Sequence, residues 1–514
     1  MEGTMQDFPL MVTSILDFAE RWHGEQEVIS REVDGETTVS NYRELARSAR
    51  LTSLALRALG VRPGDCIGTM AWNTVRHMHC WYGIAGSGAV CHTLNPRLFV
   101  KDLEYIINHA QDKIIFLDAP LAAIAQQFLP NTPSVQTFIV LTSSSKMPKI
   151  EAKPGTTGRP KGVAYTHRSQ FLHCMQLGTS NALSMGMHST VLMIVPMFHA
   201  NAWGHVFGAP MYGCRLVLPG PDLSGKTVCA LMHEHNVTVA AGVPTVFGDL
   251  LLHLEKSGRK LPRSLTHINV GGSAMPTSMM QTYERLGIHA VHAWGMTELS
   301  PMGTMCVLKP YMQNWSEERK TAVKSKQGIP GIFTDLRIVD DKGKELPRDG
   351  KHMGELQAKG AHTTKSYLKV DKPAVDAEGW FSTGDVATID EHGYMQITDR
   401  SKDVIKSGGE WISSIEIENM ATAHPQVAEA AVVAMPHEKW GERPLLVVVA
   451  KRKGAVSKEA ILEHLKGKLA KWWTPDEVVF VDELPHTATG KISKLQLRQQ
   501  FKKSEAASQG RSKL

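Results

Sequence analysis

The sequence has little that could staple or anchor it. Seven cysteines in 514 residues, at positions 66, 80, 91, 174, 214, 229 and 306, are odd in number and form no CxxC pair, which argues against a disulfide framework and a thiolate zinc site. They are expected to be reduced, buried thiols of an intracellular protein. No apolar run approaches the roughly 18–20 residues of a membrane span. The first eleven residues lack the basic and apolar regions of a secretory signal, so neither a spanning nor a secreted protein is expected. The 57 Lys and Arg exceed the 51 Asp and Glu by only six, with no basic cluster that would track a phosphate backbone, so no nucleic-acid partner is expected. Internal repeats and low-complexity tracts are also missing.

What is present is the texture of a large globular enzyme. Hydrophobic residues make up 42% and charged residues 21%, near the globular average, and at roughly 150 residues per domain the length allows two to four domains. Short apolar runs at 65–73, 113–118, 136–141, 191–196, 215–219, 237–243 and 268–271 alternate with helical patterns and are predicted as strands of helix-covered sheets. The fold class is therefore α/β. From about residue 330 the runs shorten and turn signals multiply, which predicts a small β-rich subdomain to about 398. Residues 399–514 read as a separate α+β unit, with strands at 427–435, 445–450 and 478–481. A helix is expected from Lys458, capped by Ser457, with Ile461, Leu462, Leu465 and Leu469 along one face.

Six segments carry chemistry. Gly155-Thr156-Thr157-Gly158-Arg159-Pro160-Lys161-Gly162 combines glycines, hydroxyl donors and a cation, as a loop that cradles phosphates requires. It is not a Walker A loop, because Lys161 is followed by Gly162. Downstream stand Gly271-Gly272-Ser273-Ala274, Trp294-Gly295-Met296-Thr297-Glu298, Ser382-Thr383-Gly384-Asp385, Asp399-Arg400-Ser401-Lys402-Asp403 and Pro485-His486-Thr487-Ala488-Thr489-Gly490-Lys491.

In order and spacing these segments resemble the adenylate-forming superfamily, and within it the bacterial-type short- to medium-chain acyl-CoA ligases, including those for methylthiopropionate. The resemblance covers nearly the whole chain. It implies ATP, Mg²⁺ and CoA as reactants, with an acyl-adenylate between the two half-reactions. By the same resemblance Thr156, Thr157 and Lys161 handle the β- and γ-phosphates, with Gly155 and Gly158 shaping the loop. Thr297 binds the α-phosphate and Glu298 the metal. Gly272, Ser273, Ala274, Trp294, Gly295 and Met296 line the nucleotide slot, while Asp385 and Arg400 hold the ribose. Lys491 is implied as the adenylation lysine, Asp399 as a hinge, and Ser407, Gly408 and Gly409 as the CoA channel. The segment Pro196-Met197-Phe198-His199-Ala200-Asn201-Ala202-Trp203-Gly204, with Gly303, is similar to the acyl wall; His199, Asn201 and Trp203 would face the acid.

Two departures from the family pattern stand out. Lys494 occupies the place of an arginine three residues beyond Lys491. Ahead of Gly155, the residues Ile150-Glu151-Ala152-Lys153-Pro154 replace an apolar strand and a Thr-Ser pair, and the stretch is short. An acid–CoA ligase is the reading; an adenylating enzyme with another acceptor, or a nucleotide- or acyl-binding pseudoenzyme, are the rivals. The final Ser512-Lys513-Leu514 matches the tripeptide read by the peroxisomal import receptor, and a homodimer is left open.

Overall fold

The computed structural model describes residues 4–142, 162–408, 410–452, 454–485 and 492–501. The chain divides into two compact units, one of residues 1–335 and 359–381, the other of 336–358 and 382–514. The β-rich stretch expected to close the N-terminal domain falls mostly in the second unit, because its strands 354–360, 381–389 and 395–400 form one sheet leading directly into the C-terminal strands.

The first unit is built on a nine-stranded sheet in the order Ile329–Pro330, Met302–Met305, His289–Gly295, His267–Val270, Val239–Gly242, Thr190–Met193, Arg215–Leu218, Glu27–Arg31 and Thr37–Asn41. The six strands from His289–Gly295 to Glu27–Arg31 run parallel. Successive residues of these strands serve two different cores. Val191, Met193, Leu216, Leu218, Val239 and Ala241 pack on one face, whereas Leu192, Val217, Ala240, Ile268 and Val270 pack on the other. A strand buried on both faces needs continuous apolar character, which is why these runs were legible. A second, all-parallel sheet has the order Val90–Thr93, Cys66–Met70, Ile114–Asp118, Thr137–Leu141.

The second unit holds a four-stranded sheet, Thr334–Val339, Gly354–Gly360, Phe381–Ile389 and Met395–Arg400. It also holds a five-stranded sheet in which Val427–His437 pairs with Gly441–Ala450 and Glu477–Phe480 joins the latter in parallel. The expected helix is Lys458–Leu465, and the Ser457 hydroxyl accepts the Ala460 N–H as its cap. Ile461 and Leu465 are buried, but the helix ends before Leu469, which packs on the same core from beyond it. Cys80, Cys174, Cys214, Cys229 and Cys306 are buried and all seven cysteines are free. Among the described residues no helix is long and apolar enough to cross a membrane.

Candidate active site

Parallel pairing delivers distant segments to one edge. The strands ending at Met193, Gly242, Val270 and Gly295 are neighbours in the sheet and point the same way. The segments that follow them, 194–204, 271–274 and 296–300, therefore emerge side by side at the carboxyl edge, where open α/β sheets bind ligands. Asn73 fixes the first of these: its buried amide donates to the carbonyls of Met193 and Val195, both at 2.8 Å, and accepts the Met197 N–H at 2.7 Å.

Residues 200–203 then make a left-handed turn. Ala200, Asn201, Ala202 and Trp203 have φ of 42°, 59°, 50° and 53° before Gly204 at 82°. Left-handed backbone costs an L-residue about 1–2 kcal/mol, so four in succession must be held by their surroundings. The holders are visible. His173 Nε2–H donates to the Trp203 carbonyl at 3.0 Å, His205 Nδ1–H to the Ala202 carbonyl at 2.5 Å, and Asn201 Nδ2 to Gln170 Oε1 at 3.1 Å. Burial first, then the nearby His362, pushes the His173 imidazole down to about 3, so it holds the turn as a neutral ring.

The Trp203 ring lies across Gly271 and Gly272: a β-carbon added to the first would stand 3.3 Å from it, and to the second 3.6 Å. Gly272 has φ +79°, which only glycine adopts without strain. Ser273, Ala274, His199, Gly295 and Thr297 are exposed, Asn201 and Met296 half-buried. Trp294 is 9% exposed, and its ring occupies the space a side chain at Gly303 would need, 2.4 Å from that position. Gly303 is thus buried beneath Trp294. Gly295 sits at a register shift between strands 289–295 and 302–305, where any side chain would strike the Pro301 carbonyl at 2.1 Å.

Glu298 stands on the short turn Thr297–Leu299. Its carboxylate accepts the Tyr367 hydroxyl at 2.8 Å, and its carbonyl accepts the Thr364 N–H at 2.7 Å. Tyr165 donates to the Thr297 carbonyl at 2.7 Å. Burial, with the Glu298 carboxylate beside it, pushes the Tyr367 phenol up to about 12, and Tyr165 is raised by the same two causes. No Lys or Arg among the described residues pairs with Glu298. A carboxylate that meets one hydroxyl donor and, among the described residues, no cation fits a hard divalent ion that takes one or two carboxylates and completes its shell with phosphates and water.

In the second unit, Arg400 Nε lies 2.9 Å from Asp385 Oδ1 across paired strands. The Asp385 side chain is 2% exposed and the Arg400 side chain 48%. Asp399 is buried within strand Met395–Arg400; its carboxylate accepts the Ser414 N–H at 2.7 Å and the Arg400 N–H at 2.8 Å, and burial raises its pKa. Lys494 Nζ contacts Glu418 at 2.7 Å and the Ser414 hydroxyl at 2.5 Å, with its side chain 13% exposed. The lysine found in place of arginine is therefore a half-buried anchor. Ser407 is buried and Gly408, at φ +61°, is exposed and donates its N–H to the Trp440 carbonyl at 2.8 Å. Gly155, Thr156, Thr157, Gly158, Lys161, Gly409, Lys491 and the Ser512-Lys513-Leu514 tail lie outside the described residues.

The sequence reading passed over Asn73, Gln170 and His173. Their signal was polar residues at buried positions: Gln170, His173 and Gln176, on helix His167–Leu177, all face inward. Spaced three apart, they give a helix one polar stripe that has to find partners in the interior.

Comparison with known proteins agrees with this arrangement. The AMP-binding enzyme family matches residues 17–153 and 154–368, and the AMP-binding enzyme C-terminal domain matches 416–491. A 3-methylmercaptopropionyl-CoA ligase of Ruegeria lacuscaerulensis is 44% identical over 535 positions, covering 98% of this chain and 99% of the relative. Since 98% of 514 residues is about 504, about thirty of those positions face no residue of this chain. A medium-chain-fatty-acid–CoA ligase of Ectopseudomonas oleovorans is 41% identical over 534 residues, covering 98% of each. The solved anthranilate CoA ligase in complex with anthranoyl-AMP superposes with a TM-score of 0.83 at 23% identity over 98% of this chain and all of that one, which shows the fold. With matches from residue 17 to residue 491 and relatives aligned over their full length, the chain belongs to the AMP-binding enzyme family, among its acyl-CoA ligases.

Proposed function

We propose that this chain activates a short- to medium-chain carboxylic acid with ATP, giving acyl-AMP and pyrophosphate, and then passes the acyl group to the CoA thiol with release of AMP. A free carboxylate is a poor electrophile because its leaving group would be oxide; the adenylate supplies a leaving group that is stable in water. The observation that carries the reading is the convergence of three strand-end segments at one sheet edge, with the Glu298 carboxylate there facing no described cation. ATP, CoA and the acid are its substrates and Mg²⁺ its metal. Bound at Glu298, Mg²⁺ supplies positive charge against phosphate oxygens.

The roles proposed for its residues are those the family resemblance implies. Thr156, Thr157 and Lys161 bind the terminal phosphates, and Thr297 the α-phosphate. Asp385, held by Arg400, accepts the ribose hydroxyls. Lys491 serves adenylation, and Ser407-Gly408-Gly409 admits the pantetheine arm. The domain boundary lies near 398, with Asp399 as the pivot about which the following chain turns between half-reactions. Trp203, a large ring laid across the Gly271-Gly272 turn, limits the length of acid. The test is ATP–pyrophosphate exchange with straight-chain and thioether acids of graded length, followed by AMP release with and without CoA. Exchange without CoA-stimulated AMP release would point to another acceptor, and no exchange with any acid would sink the reading.

Two expectations belong here. Glu298→Gln should cut exchange by about tenfold or more, as lost charge stabilisation does. It should also let Tyr367 titrate nearer the ordinary phenol value of about 10, read as a phenolate absorbance difference against Tyr367→Phe. An unshifted Tyr367 would mean that burial alone raises it and that Glu298 does not act on the phenol. The chain is also proposed to enter peroxisomes through Ser512-Lys513-Leu514 when made in a cell that has them. A fluorescent fusion that leaves this tail free should collect in puncta and disperse on deletion of Leu514; diffuse signal from the intact tail would refute the address.

A further inference from the structure

Gln170 lies on helix His167–Leu177 and is 3% exposed. Its side-chain amide has two partners in different segments. Oε1 accepts from Asn201 Nδ2 at 3.1 Å, and Nε2 donates to the Ser300 carbonyl at 3.2 Å. Asn201 sits in the left-handed turn with Trp203. Ser300, itself at φ 66°, closes the turn that carries Thr297 and Glu298, through its N–H to the Thr297 carbonyl at 3.2 Å.

The next inward residue of the helix, His173, holds the Trp203 carbonyl. On the other side, the Ser300 hydroxyl donates to the His362 carbonyl at 2.7 Å, and His362 Nδ1–H donates to the Leu299 carbonyl at 2.7 Å. One helix face therefore touches both turns, and Gln170 is the residue that bonds to each.

We propose that Gln170 is a positioning residue that couples the acyl-side turn at 200–203 to the phosphate-side turn at Thr297–Leu299. The proposal rests on the acyl and phosphate roles given above. The chemistry of the amide makes it specific: its oxygen only accepts and its nitrogen only donates, while Asn201 offers a donor and Ser300 an acceptor. No other side chain of this size serves both. Leucine fills the space and releases both turns. Glutamate keeps the acceptor for Asn201 but sets a negative oxygen against the Ser300 carbonyl.

The variants separate the two sides of the joint. Asn201→Ala should raise KM for the acid, or move the preferred chain length, by about threefold or more while leaving KM for ATP unchanged. Glu at position 170, as Gln170→Glu, should lower kcat of pyrophosphate exchange and raise KM for MgATP by about tenfold, with the acid KM within about twofold. Gln170→Leu should do both. Acid and ATP parameters both unchanged in Gln170→Leu would overturn the coupling.

Crystal structures of the wild type and of Gln170→Leu give an answer independent of turnover, with Gln170→Glu in its place should the leucine variant fail to fold. Loss of positive φ at 200–203 together with displacement of Ser300 is expected. Both turns unchanged would overturn the proposal, whether or not the enzyme is active. A wild type that exchanges with no acid would instead overturn the ligase reading, and the structural comparison would still decide the role of Gln170.

Discussion

Lys491→Ala should slow adenylation by about 10²-fold or more while thioester formation from supplied acyl-adenylate survives, if the lysine acts as a lost transition-state donor does. Negative charge grows on the α-phosphate oxygens and on the departing pyrophosphate, while the attacking carboxylate gives up charge to the new bond. A cation placed there is worth most in that transition state and little once AMP is itself the leaving group. Three residues on, Lys494 contacts Glu418 and the Ser414 hydroxyl. Single-turnover measurement of each half-reaction gives the answer; equal losses in both would remove Lys491 from its assigned step.

Restoring an apolar strand and a Thr-Ser pair ahead of Gly155 should raise the adenylation rate at least about tenfold, equivalent to roughly 1.4 kcal/mol in the barrier. A phosphate loop works by holding several donors still, and stillness normally comes from a buried strand running into it. Residues 143–154 contain three lysines, two prolines and no apolar run, and Pro154 offers no N–H. The family match breaks between 153 and 154, beside this stretch. Pyrophosphate exchange by the protein as it stands, at a rate the restored version does not exceed, would show that the segment is dispensable.

The parts of the fold that were legible are those with a single strong cause. The strands at 191–193, 215–218, 239–242 and 267–270 are buried on both faces, and their unbroken apolar character announced them. Strands at 27–31, 37–41 and 302–305 gave no comparable signal: Thr37, Thr38 and Val39 are exposed at the sheet's edge, and Met302–Met305 contains Gly303, kept small by the Trp294 ring. The candidate site stands in the sequence as motifs, and its geometry does not. Nothing local in Ala200-Asn201-Ala202-Trp203 asks for positive φ; Gln170, His173 and His205 impose it. Asn73 went unread because its role is to satisfy backbone groups more than a hundred residues away.

That imposed turn says something about the order in which the molecule assembles. A segment whose backbone contradicts its own preferences depends on the groups that force it, so residues 200–203 are expected to take their native shape only after the 167–177 helix has docked. Their interactions belong to the downhill side of the folding barrier, with φ-values near zero. Substitutions that loosen them act mainly by speeding the escape of folded protein and leave its rate of formation nearly untouched. The turn at 200–203 is therefore expected among the late-forming parts of the molecule, which φ-value measurement at Asn201 and Trp203 would check.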